Sequence, residues 1–479
     1  MGREVIRLME KVPEPPPWKK FLLYNGPVIM IFGLGLGLSE LVLYPHLAVK
    51  YGITWLGWMV LGLFFQTVWG MELARWVVVL GENATQQHSR ILGKWLAVAL
   101  IPLPLFVGMA IPAWASSAGT ALWQIIHFPA DEKIASVVWA IVTFLITFTL
   151  IFFSPIARKY VEILVLASTV MAMGILLFSA VISIPGRVWR DLWGSLWFPY
   201  VPEGMDLWVF GSTLAWVGAG VTLLWYTYWM RDAGWGMGAC SPPIPGWKGK
   251  SVALSATGAV VDSNGENSLR LLQWLTRSHL SLWLVYFGGN VLTLFLIIGL
   301  SLAVLAPTGL APEKFEVLQH QAVFFEKVLG PSGRILFLLM AWLLVMNTQV
   351  SVSEALIRQN TETTVMLFPS LAFRVKNVYF AWWIGYLIFA CLLLIAPLKF
   401  PGVNPFRYIT TSAGISFIAL VFSMLCALIA DLWFPRFISR KIRVSVVPSF
   451  WTVVVLFVGF IFHLYWLVRA LVFVFTTHG

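Results

Sequence analysis

The chain has 479 residues, of which 59% are hydrophobic and 11% are charged, and its formal net charge is +11. Soluble domains carry about 25% charged residues, so this composition excludes a soluble enzyme, a disordered protein and a nucleic-acid-binding module. A helix needs about 20 apolar residues to cross a bilayer, which leaves room for roughly ten to twelve spans. The composition therefore predicts an all-α integral membrane protein whose partner is the lipid bilayer rather than nucleic acid.

Eleven apolar runs follow a polar N-terminal segment. Residues 1–25 include three consecutive prolines at 15–17, and we predict a tail in which residues 4–12 form either a short surface helix or disordered chain. The remainder, 26–479, is predicted to be a single membrane domain. Its predicted spans are 26–46, 53–80, 95–127, 134–154, 160–184, 206–230, 279–306, 333–357, 378–397, 408–433 and 448–474.

Positive charges are distributed unevenly between the segments that connect these spans. If the N-terminus lies inside, the inner segments hold roughly twice as many Lys and Arg residues as the outer ones, as the positive-inside rule requires. The odd number of spans places the two termini on opposite sides. We therefore predict a multi-pass protein of the cell membrane with a cytoplasmic N-terminus and an external C-terminus.

Glycine interrupts the first and the sixth predicted span. Span 1 carries Gly33, Gly35 and Gly37, and span 6 carries Gly218 and Gly220. Each glycine weakens a helix interior by roughly 1 kcal/mol relative to alanine. Glycine-interrupted helices at matching places in two halves of a chain are typical of a transporter's binding site. Close helix packing is the alternative, because Gly33 and Gly37 also form a GxxxG pattern.

Glu40 follows the first glycine run in the middle of span 1. A charge inside the membrane usually faces a partner or water, so Glu40 could bind a cation, carry a proton or pair with an organic amine. Alternatively, Ser39 and Glu40 cap the half-helix that restarts after the break. For Trp225 and Tyr226, packing against neighbouring helices is the alternative to a pocket. The candidate substrate-binding residues are Gly37, Leu38, Ser39, Glu40, Gly218, Gly220, Thr222, Trp225 and Tyr226, with Glu40 as the candidate metal ligand.

Other polar side chains within the spans have structural interpretations. Glu72 and Arg75 lie three residues apart, and Glu354 and Arg358 lie four apart, so each pair is predicted to form an ion pair on one helix face. The polar run at 347–353 could line a cavity or form hydrogen bonds between helices. The sequence contains no P-loop, HExxH motif or Gly-x-Ser-x-Gly elbow, so we predict neither an enzyme nor a cofactor.

Several short segments resemble a divergent branch of the Nramp (natural resistance-associated macrophage protein) family of divalent-metal transporters. They are Gly26-Pro27, the glycine run of span 1, Tyr51-Gly52, Glu72-Leu73-Ala74-Arg75 with Gly81-Glu82, Trp225-Tyr226, Trp229-Met230-Arg231 and Gly236-Met237-Gly238. The resemblance implies a LeuT-type fold with broken spans 1 and 6. Two inverted five-helix repeats, here about 26–184 and 206–433, are then followed by an extra helix at about 448–474. The resemblance also implies proton-linked uptake of manganese or iron.

The residues that correspond to the family's metal ligands differ here. The family's Asp-Pro-Gly-Asn motif in span 1 corresponds to Gly37, Leu38, Ser39 and Glu40, and its Met-Pro-His motif in span 6 corresponds to 222–224. One carboxylate and a hydroxyl make a poor manganese site, and the soft thioether ligand is lost.

We therefore predict a secondary transporter that works by alternating access and moves a small cation, coupled to H⁺ or Na⁺. For the Nramp family that cation is a divalent metal, and its transport is proton-linked. The first alternative is a transporter of an organic solute such as an amine or amino acid. The second is a non-transporting membrane receptor or scaffold subunit.

Overall fold

The chain forms a bundle of long helices. The computed structural model describes residues 7–9, 11–19, 25–152, 157–241, 257–261, 265–436, 438 and 446–477. Within these ranges eleven helical segments are long and apolar enough to cross a membrane, which confirms the predicted number. Spans 1 to 11 cover Gly26–Tyr51, Leu56–Leu80, Lys94–Ile126, Glu132–Ile151, Val165–Ser183, Leu207–Asp232, Gly265–Thr308, Pro331–Leu367, Pro369–Lys399, Pro405–Arg436 and Phe450–Thr477.

The spans differ in how deeply they lie in the bundle. In span 1, 94% of the most apolar stretch is buried inside the protein, and in span 6 the figure is 89%. The corresponding figures for spans 9 and 11 are 33% and 28%, so much of their apolar surface remains free to face lipid. The two spans with glycine interruptions therefore lie at the centre of the bundle, together with span 2, for which the figure is also 89%.

Both of these central spans are broken, as the glycine pattern predicts. Span 1 consists of an α-helix over Gly26–Gly35, a turn at 36–37, a π-helical turn over Ser39–Leu43 and an α-helix over Tyr44–Tyr51. Span 6 consists of an α-helix over Leu207–Trp216, a 3-10 segment over Val217–Thr222 and an α-helix over Leu223–Asp232. Breaking a helix leaves backbone amide and carbonyl groups without helical partners, and here they lie at the centre of the protein.

Three other spans differ in their course from the sequence prediction. Span 3 is divided into Lys94–Leu100, Pro102–Met109 and Ala113–Ile126, because Pro102 and Pro112 lack the amide hydrogen that a continuous helix needs. Span 7 begins at 265 rather than 279, because a polar amphipathic stretch over Gly265–Ser281 continues the helix. Span 8 continues to 367 rather than 357, because its polar residues are buried by neighbouring elements.

The remaining spans contain long α-helices. Spans 2, 4, 5, 8, 9, 10 and 11 contain α-helices over Leu56–Leu80, Glu132–Phe152, Ala157–Ser183, Pro331–Leu367, Val375–Lys399, Pro405–Trp433 and Phe450–Thr477. Span 7 continues through a π-helical segment over Leu282–Phe287 into an α-helix over Gly288–Leu300 and a second π-helical turn over Ser301–Leu305. Short α-helices outside the spans cover Ala84–Leu92, Gly186–Gly194 and Val323–Leu329.

The N-terminal tail folds against the start of span 7. Arg7–Met9 pairs as a parallel strand with Ala259–Val261. The amide of Val12 donates to the side chain of Asn267 at 3.0 Å. Both alternatives for 4–12, a surface helix and disordered chain, are therefore wrong for 7–9, because strand pairing supplies backbone hydrogen bonds that so short an isolated helix cannot hold in water. The cytoplasmic location of the tail remains a prediction.

Candidate functional site

The breaks of spans 1 and 6 touch each other. A Cβ atom added at Gly35 would lie 3.1 Å from the amide nitrogen of Ala219 and 3.1 Å from the carbonyl carbon of Gly218. Such a close backbone approach needs a residue without a side chain. Gly218 and Gly220 have φ angles of 60° and 53°, which glycine adopts without strain. The glycines of the two spans therefore permit both the turns and the contact between them.

A small cavity lies beside this contact. Its volume is about 20 Å³, enough for about one water molecule and far below the several hundred Å³ of a usual organic-ligand pocket. Residues of both broken spans and of span 3 line it. Its lining residues are Leu34, Gly35, Leu38, Ser39, Met109, Trp114, Trp216, Ala219 and Thr222.

Three of the nine candidate residues line this cavity, namely Leu38, Ser39 and Thr222. The hydroxyl of Thr222 donates to the carbonyl oxygen of Ala219 at 2.6 Å, so it closes one turn of the broken segment. Two further lining residues, Trp114 and Trp216, were not singled out from the sequence. Their rings stack with centroids 5.0 Å apart. The available signals were the Pro112 kink before Trp114 and the glycine break just after Trp216.

Glu40 lies next to the cavity but does not line it. It is 1% exposed, and its carboxylate accepts hydrogen bonds from the amide of Gly37 at 3.2 Å and from the hydroxyl of Tyr44 at 3.2 Å. The hydroxyl of Ser39 donates a third. In this arrangement Glu40 ties together the turn and the following π-helical turn of span 1.

Two buried amide side chains lie against the breaks with free oxygens. Oδ1 of Asn290 in span 7 and Oε1 of Gln66 in span 2 have no hydrogen-bond partner among the described residues. A Cβ at Gly35 would lie 3.2 Å from Oδ1 of Asn290, and one at Gly220 would lie 3.9 Å from Oε1 of Gln66. These oxygens were not singled out from the sequence, although a lone Asn or Gln in an apolar span is a usable signal.

Trp225 and Tyr226 lie away from the cavity. The indole of Trp225 donates to the side chain of Gln359 in span 8 at 2.7 Å. The ring of Tyr226 packs edge-on against Trp235 at 6.4 Å. Both side chains are completely buried, so in this structure they occupy the packing positions that the sequence left as the alternative.

The polar run of span 8 forms hydrogen bonds between helices. Asn347 donates to the hydroxyl of Ser168 at 2.9 Å. The side-chain oxygen of Gln349 accepts from the amide of Ala115 at 3.1 Å, in the first turn after the Pro112 kink. Among the residues the structure describes, no group of three His, Cys, Asp or Glu side chains is arranged to hold a metal ion.

The predicted inner end of the bundle is closed by buried ion pairs. Arg358 of span 8 pairs with Asp232 of span 6 and with Glu354, to which its Nε lies at 2.8 Å. Arg231 pairs in the same way with Glu362. The Glu354–Arg358 pair confirms the sequence prediction, as does the Glu72–Arg75 pair in span 2, with Arg75 Nε 2.6 Å from the carboxylate.

The predicted outer end contains two clefts of about 550 and about 240 Å³. The starts of spans 6 and 10 line both clefts, and the end of span 1 lines the smaller one. The residues shared by the two are Asp206, Val209, Phe406 and Arg407. The structure thus has space at one end of the two broken spans and buried ion pairs at the other.

No protein-family model matches the chain, and no curated protein matches its sequence. Solved structures of membrane transporters nevertheless match its backbone over nearly their full length. A manganese transporter from Eremococcus coleocola, in complex with an aromatic bis-isothiourea substituted compound, gives a TM-score of 0.61 at 14% identity, covering 98% of this chain and 90% of that chain. A mutant of that transporter gives 0.58 at 12% identity, with the same coverage of 98% and 90%.

A second transporter also matches. Mhp1, a nucleobase-cation-symport-1 family transporter in a closed conformation with bromovinylhydantoin bound, gives a TM-score of 0.57 at 14% identity, covering 95% of this chain and 93% of that chain. The chain has a LeuT-type fold. In a LeuT-type fold, spans 1–5 and 6–10 are two inverted repeats and span 11 is the extra helix, as the sequence predicts. Identities of 12 to 14% show the fold and leave the substrate open.

Proposed function

We propose that this chain is a secondary transporter that works by alternating access and moves a small cation between the broken spans 1 and 6. One observation carries the proposal, namely the cavity of about 20 Å³ where the two breaks meet. A cavity of this size holds a water molecule or a bare ion, whereas an organic ligand needs several hundred Å³.

The groups around the breaks support a cation. Hard cations prefer oxygen ligands, and this region offers the Ser39 hydroxyl together with the free side-chain oxygens of Gln66 and Asn290. Glu40 lies next to the cavity and supplies the negative charge. A cation that reaches Glu40 has to replace the hydroxyl donors of Ser39 and Tyr44, so binding would loosen the break of span 1.

The finer proposal is a divergent branch of the Nramp family that carries a divalent metal together with protons. The sequence resemblance supports this branch, and so does the structural likeness to a manganese transporter. Glu40 would be the charged metal ligand, with backbone carbonyls of the breaks and neutral oxygens completing the shell. Such an all-oxygen set suits Mg²⁺ or Mn²⁺ better than softer metals.

An organic solute is the second candidate. The stacked rings of Trp114 and Trp216 support it, because flat aromatic walls bind amines and rings well. This candidate requires the cavity to expand several-fold when the substrate enters. It then predicts that the outer clefts and the small cavity join into one space in another conformation.

The test is uptake of Mn²⁺, Cd²⁺ and Mg²⁺ into proteoliposomes by wild type, Glu40→Gln and Glu203→Gln. Glu203 is an exposed acid at the predicted outer end and serves as the matched control. We expect saturable uptake of at least one metal, a loss of about tenfold or more in Glu40→Gln, and no change in Glu203→Gln.

Two outcomes would contradict the cation proposal. If folded wild type takes up none of the three metals, a divalent metal is not the substrate. If uptake survives in Glu40→Gln, Glu40 is not the metal ligand. A screen of amines and amino acids for compounds that raise the melting temperature of wild type would then test the organic solute. The absence of any stabilising compound would leave the receptor or scaffold alternative.

A further inference from the structure

A second group of buried charges lies away from the broken helices, between spans 2, 7 and 10. Glu72 and Arg75 of span 2 form a two-pronged ion pair, with Nε and Nη2 of Arg75 lying 2.6 and 3.0 Å from the two carboxylate oxygens. Asp431, in the last turn of span 10, faces the same pair. Glu72 is fully buried, Asp431 is 3% exposed and Arg75 is 6% exposed.

The charges in this group do not balance. Two carboxylates and one guanidinium leave one negative charge in the interior, and an uncompensated buried charge is strongly destabilising. Arg75 already holds other acceptors, since its Nη1 donates to the backbone carbonyl of Val446 at 2.8 Å while its Nε and Nη2 donate to Glu72. Something else has to neutralise Asp431.

Asp431 and Glu72 face each other where spans 2 and 10 pack, beside the rings of Trp76 and Phe434, whose centroids lie 5.6 Å apart. Two ionised carboxylates are both acceptors, and accordingly neither oxygen of Asp431 has a donor partner among the described residues. A single proton would remove the excess negative charge and also supply the missing hydrogen-bond donor. Bound to one Asp431 oxygen and donated to a Glu72 oxygen, it removes the excess charge and turns the contact into a hydrogen bond.

His279 of span 7 also faces this cluster. Its Nε2 is buried without a hydrogen-bond partner among the described residues. The guanidinium of Arg75 repels a second positive charge on this imidazole, whereas the two adjacent carboxylates repel each other and so attract a proton. The proton therefore belongs on the carboxyl pair rather than on the histidine.

We propose that Asp431 and Glu72 share one proton and form a proton-binding site that joins span 2 to span 10, separate from the cavity between the broken helices. Release of the proton places two carboxylates against one guanidinium and pushes the two spans apart. Asp431 lies in the last turn of its helix, at the predicted inner end. The inference concerns proton binding and holds whether the chain moves an ion or an organic solute.

The test is infrared difference spectroscopy on lipid-reconstituted protein at pH 7, comparing wild type with Asp431→Asn. The C=O stretch of a carboxylic acid is separate from the bands of a carboxylate. We expect Asp431→Asn to lose a carboxylic acid band, and Asp206→Asn, an acid at the other end of the bundle, to keep it. Loss of carboxylate bands instead would mean that Asp431 is ionised and would overturn the proposal.

Two further measurements distinguish a shared proton from a lone protonated acid and from a bound metal cation. If Asp431→Asn does not fold, Glu72→Gln serves instead, because removal of the acceptor should shift the frequency of the same acid band. An unshifted band in Glu72→Gln would overturn the sharing of the proton. Addition of NaCl, with choline chloride as the control, should leave the band in place, whereas its loss with Na⁺ would make this a metal-cation site and would overturn the proposal.

Discussion

At the scale of single residues, buried polar groups are distinguished by the donors around them. Glu40 and Asp431 are both acids inside the membrane region and both almost inaccessible. Glu40 accepts hydrogen bonds from a backbone amide and two hydroxyls, which stabilise a negative charge. Asp431 faces a second carboxylate and has no donor among the described residues. The first environment suits an ion-binding residue, and the second suits a residue that carries a proton.

His88 provides a pH-dependent test outside the spans. It lies on the Ala84–Leu92 helix, is 1% exposed, and its Nε2 lies 2.9 Å from the hydroxyl of Ser423. Burial lowers the pKa of His88 to about 3, so the folded protein keeps the imidazole neutral. The unfolded chain binds a proton below about pH 6.5. The stability contributed by the neutral His88 is therefore present above that pH and is lost as the pH falls towards 3.

We expect the free energy of unfolding of wild type to fall more steeply than that of His88→Gln between about pH 6.5 and 4.5, by up to about 1.4 kcal/mol per pH unit. Thermal or denaturant melts of detergent-solubilised protein measure it. His127→Gln, at an exposed histidine, is the control and should leave the slope of wild type unchanged. Equal slopes for wild type and His88→Gln would contradict the prediction.

At the scale of elements, the broken helices persist because other spans supply hydrogen-bond partners for their freed backbone groups. Gln66 of span 2 donates to the carbonyl of Leu214, near the end of the first half of span 6, at 3.1 Å. Gln321, from the segment before span 8, donates to the carbonyl of Leu41 beside the break of span 1. Irregular backbone at membrane depth is tolerated only with such internal partners. The breaks are therefore a property of the assembled bundle as well as of the glycines.

The break of span 6 predicts opposite effects for two neighbouring substitutions. A Cβ at Gly220 would lie 1.7 Å from the carbonyl oxygen of Ala215, and the φ of 53° and ψ of −129° there suit only glycine. We expect Gly220→Ala to destabilise the protein by about 3 kcal/mol or more. Ala219 already has a φ of 84°, so Ala219→Gly should relieve about 1 kcal/mol of strain and raise the melting temperature.

Melting curves in detergent, followed by size-exclusion chromatography, measure both changes. Gly385→Ala is the control, because a Cβ there meets no atom within 4 Å. A Gly220→Ala protein as stable as wild type would mean that span 6 is a continuous helix.

At the scale of the whole molecule, clefts lie at one end of the broken spans and buried ion pairs lie at the other. The predicted outer end has clefts of about 550 and about 240 Å³, while Arg358 and Arg231 hold the predicted inner end of span 6 against span 8. A buried pair that loses one partner is strongly destabilised. The ion pairs between spans 6 and 8 therefore hold these two spans together at that end.

We expect Asp232→Asn to open the inner end more often, because Arg358 then keeps only its partner on its own helix, Glu354. The readout is maleimide labelling of Gln359→Cys, a position 2% exposed in this structure, in a background without the three native cysteines. Labelling from the inner side should accelerate several-fold over the parent. Asp191→Asn, at an exposed acid outside the spans, should leave the rate unchanged. Equal rates in Asp232→Asn and the parent would show that this ion pair does not hold the inner end closed.

Much of the fold, but less of the site, follows from local sequence patterns. The number of spans and the two breaks follow from runs of apolar residues and from glycines within them, which are local properties. Trp114 and Asn290 have only weak local signals, the Pro112 kink and an amide within an apolar span, because their importance depends on which helices face each other. Likewise, the pairing of Glu72 with Arg75 follows from their spacing, whereas the presence of Asp431 beside them depends on the packing of span 10 against span 2.

The sequence by itself determined that the chain is a membrane bundle of eleven spans whose first and sixth helices are interrupted. Hydrophobicity and helix propensity are properties of neighbouring residues, so they can be read without knowing the fold. Only the tertiary structure decided that the breaks touch, that the cavity beside them has room for about one water, and that Glu40 holds the turn while Trp225 packs elsewhere. Those features depend on distances between residues far apart in the chain, which the packing of spans alone sets.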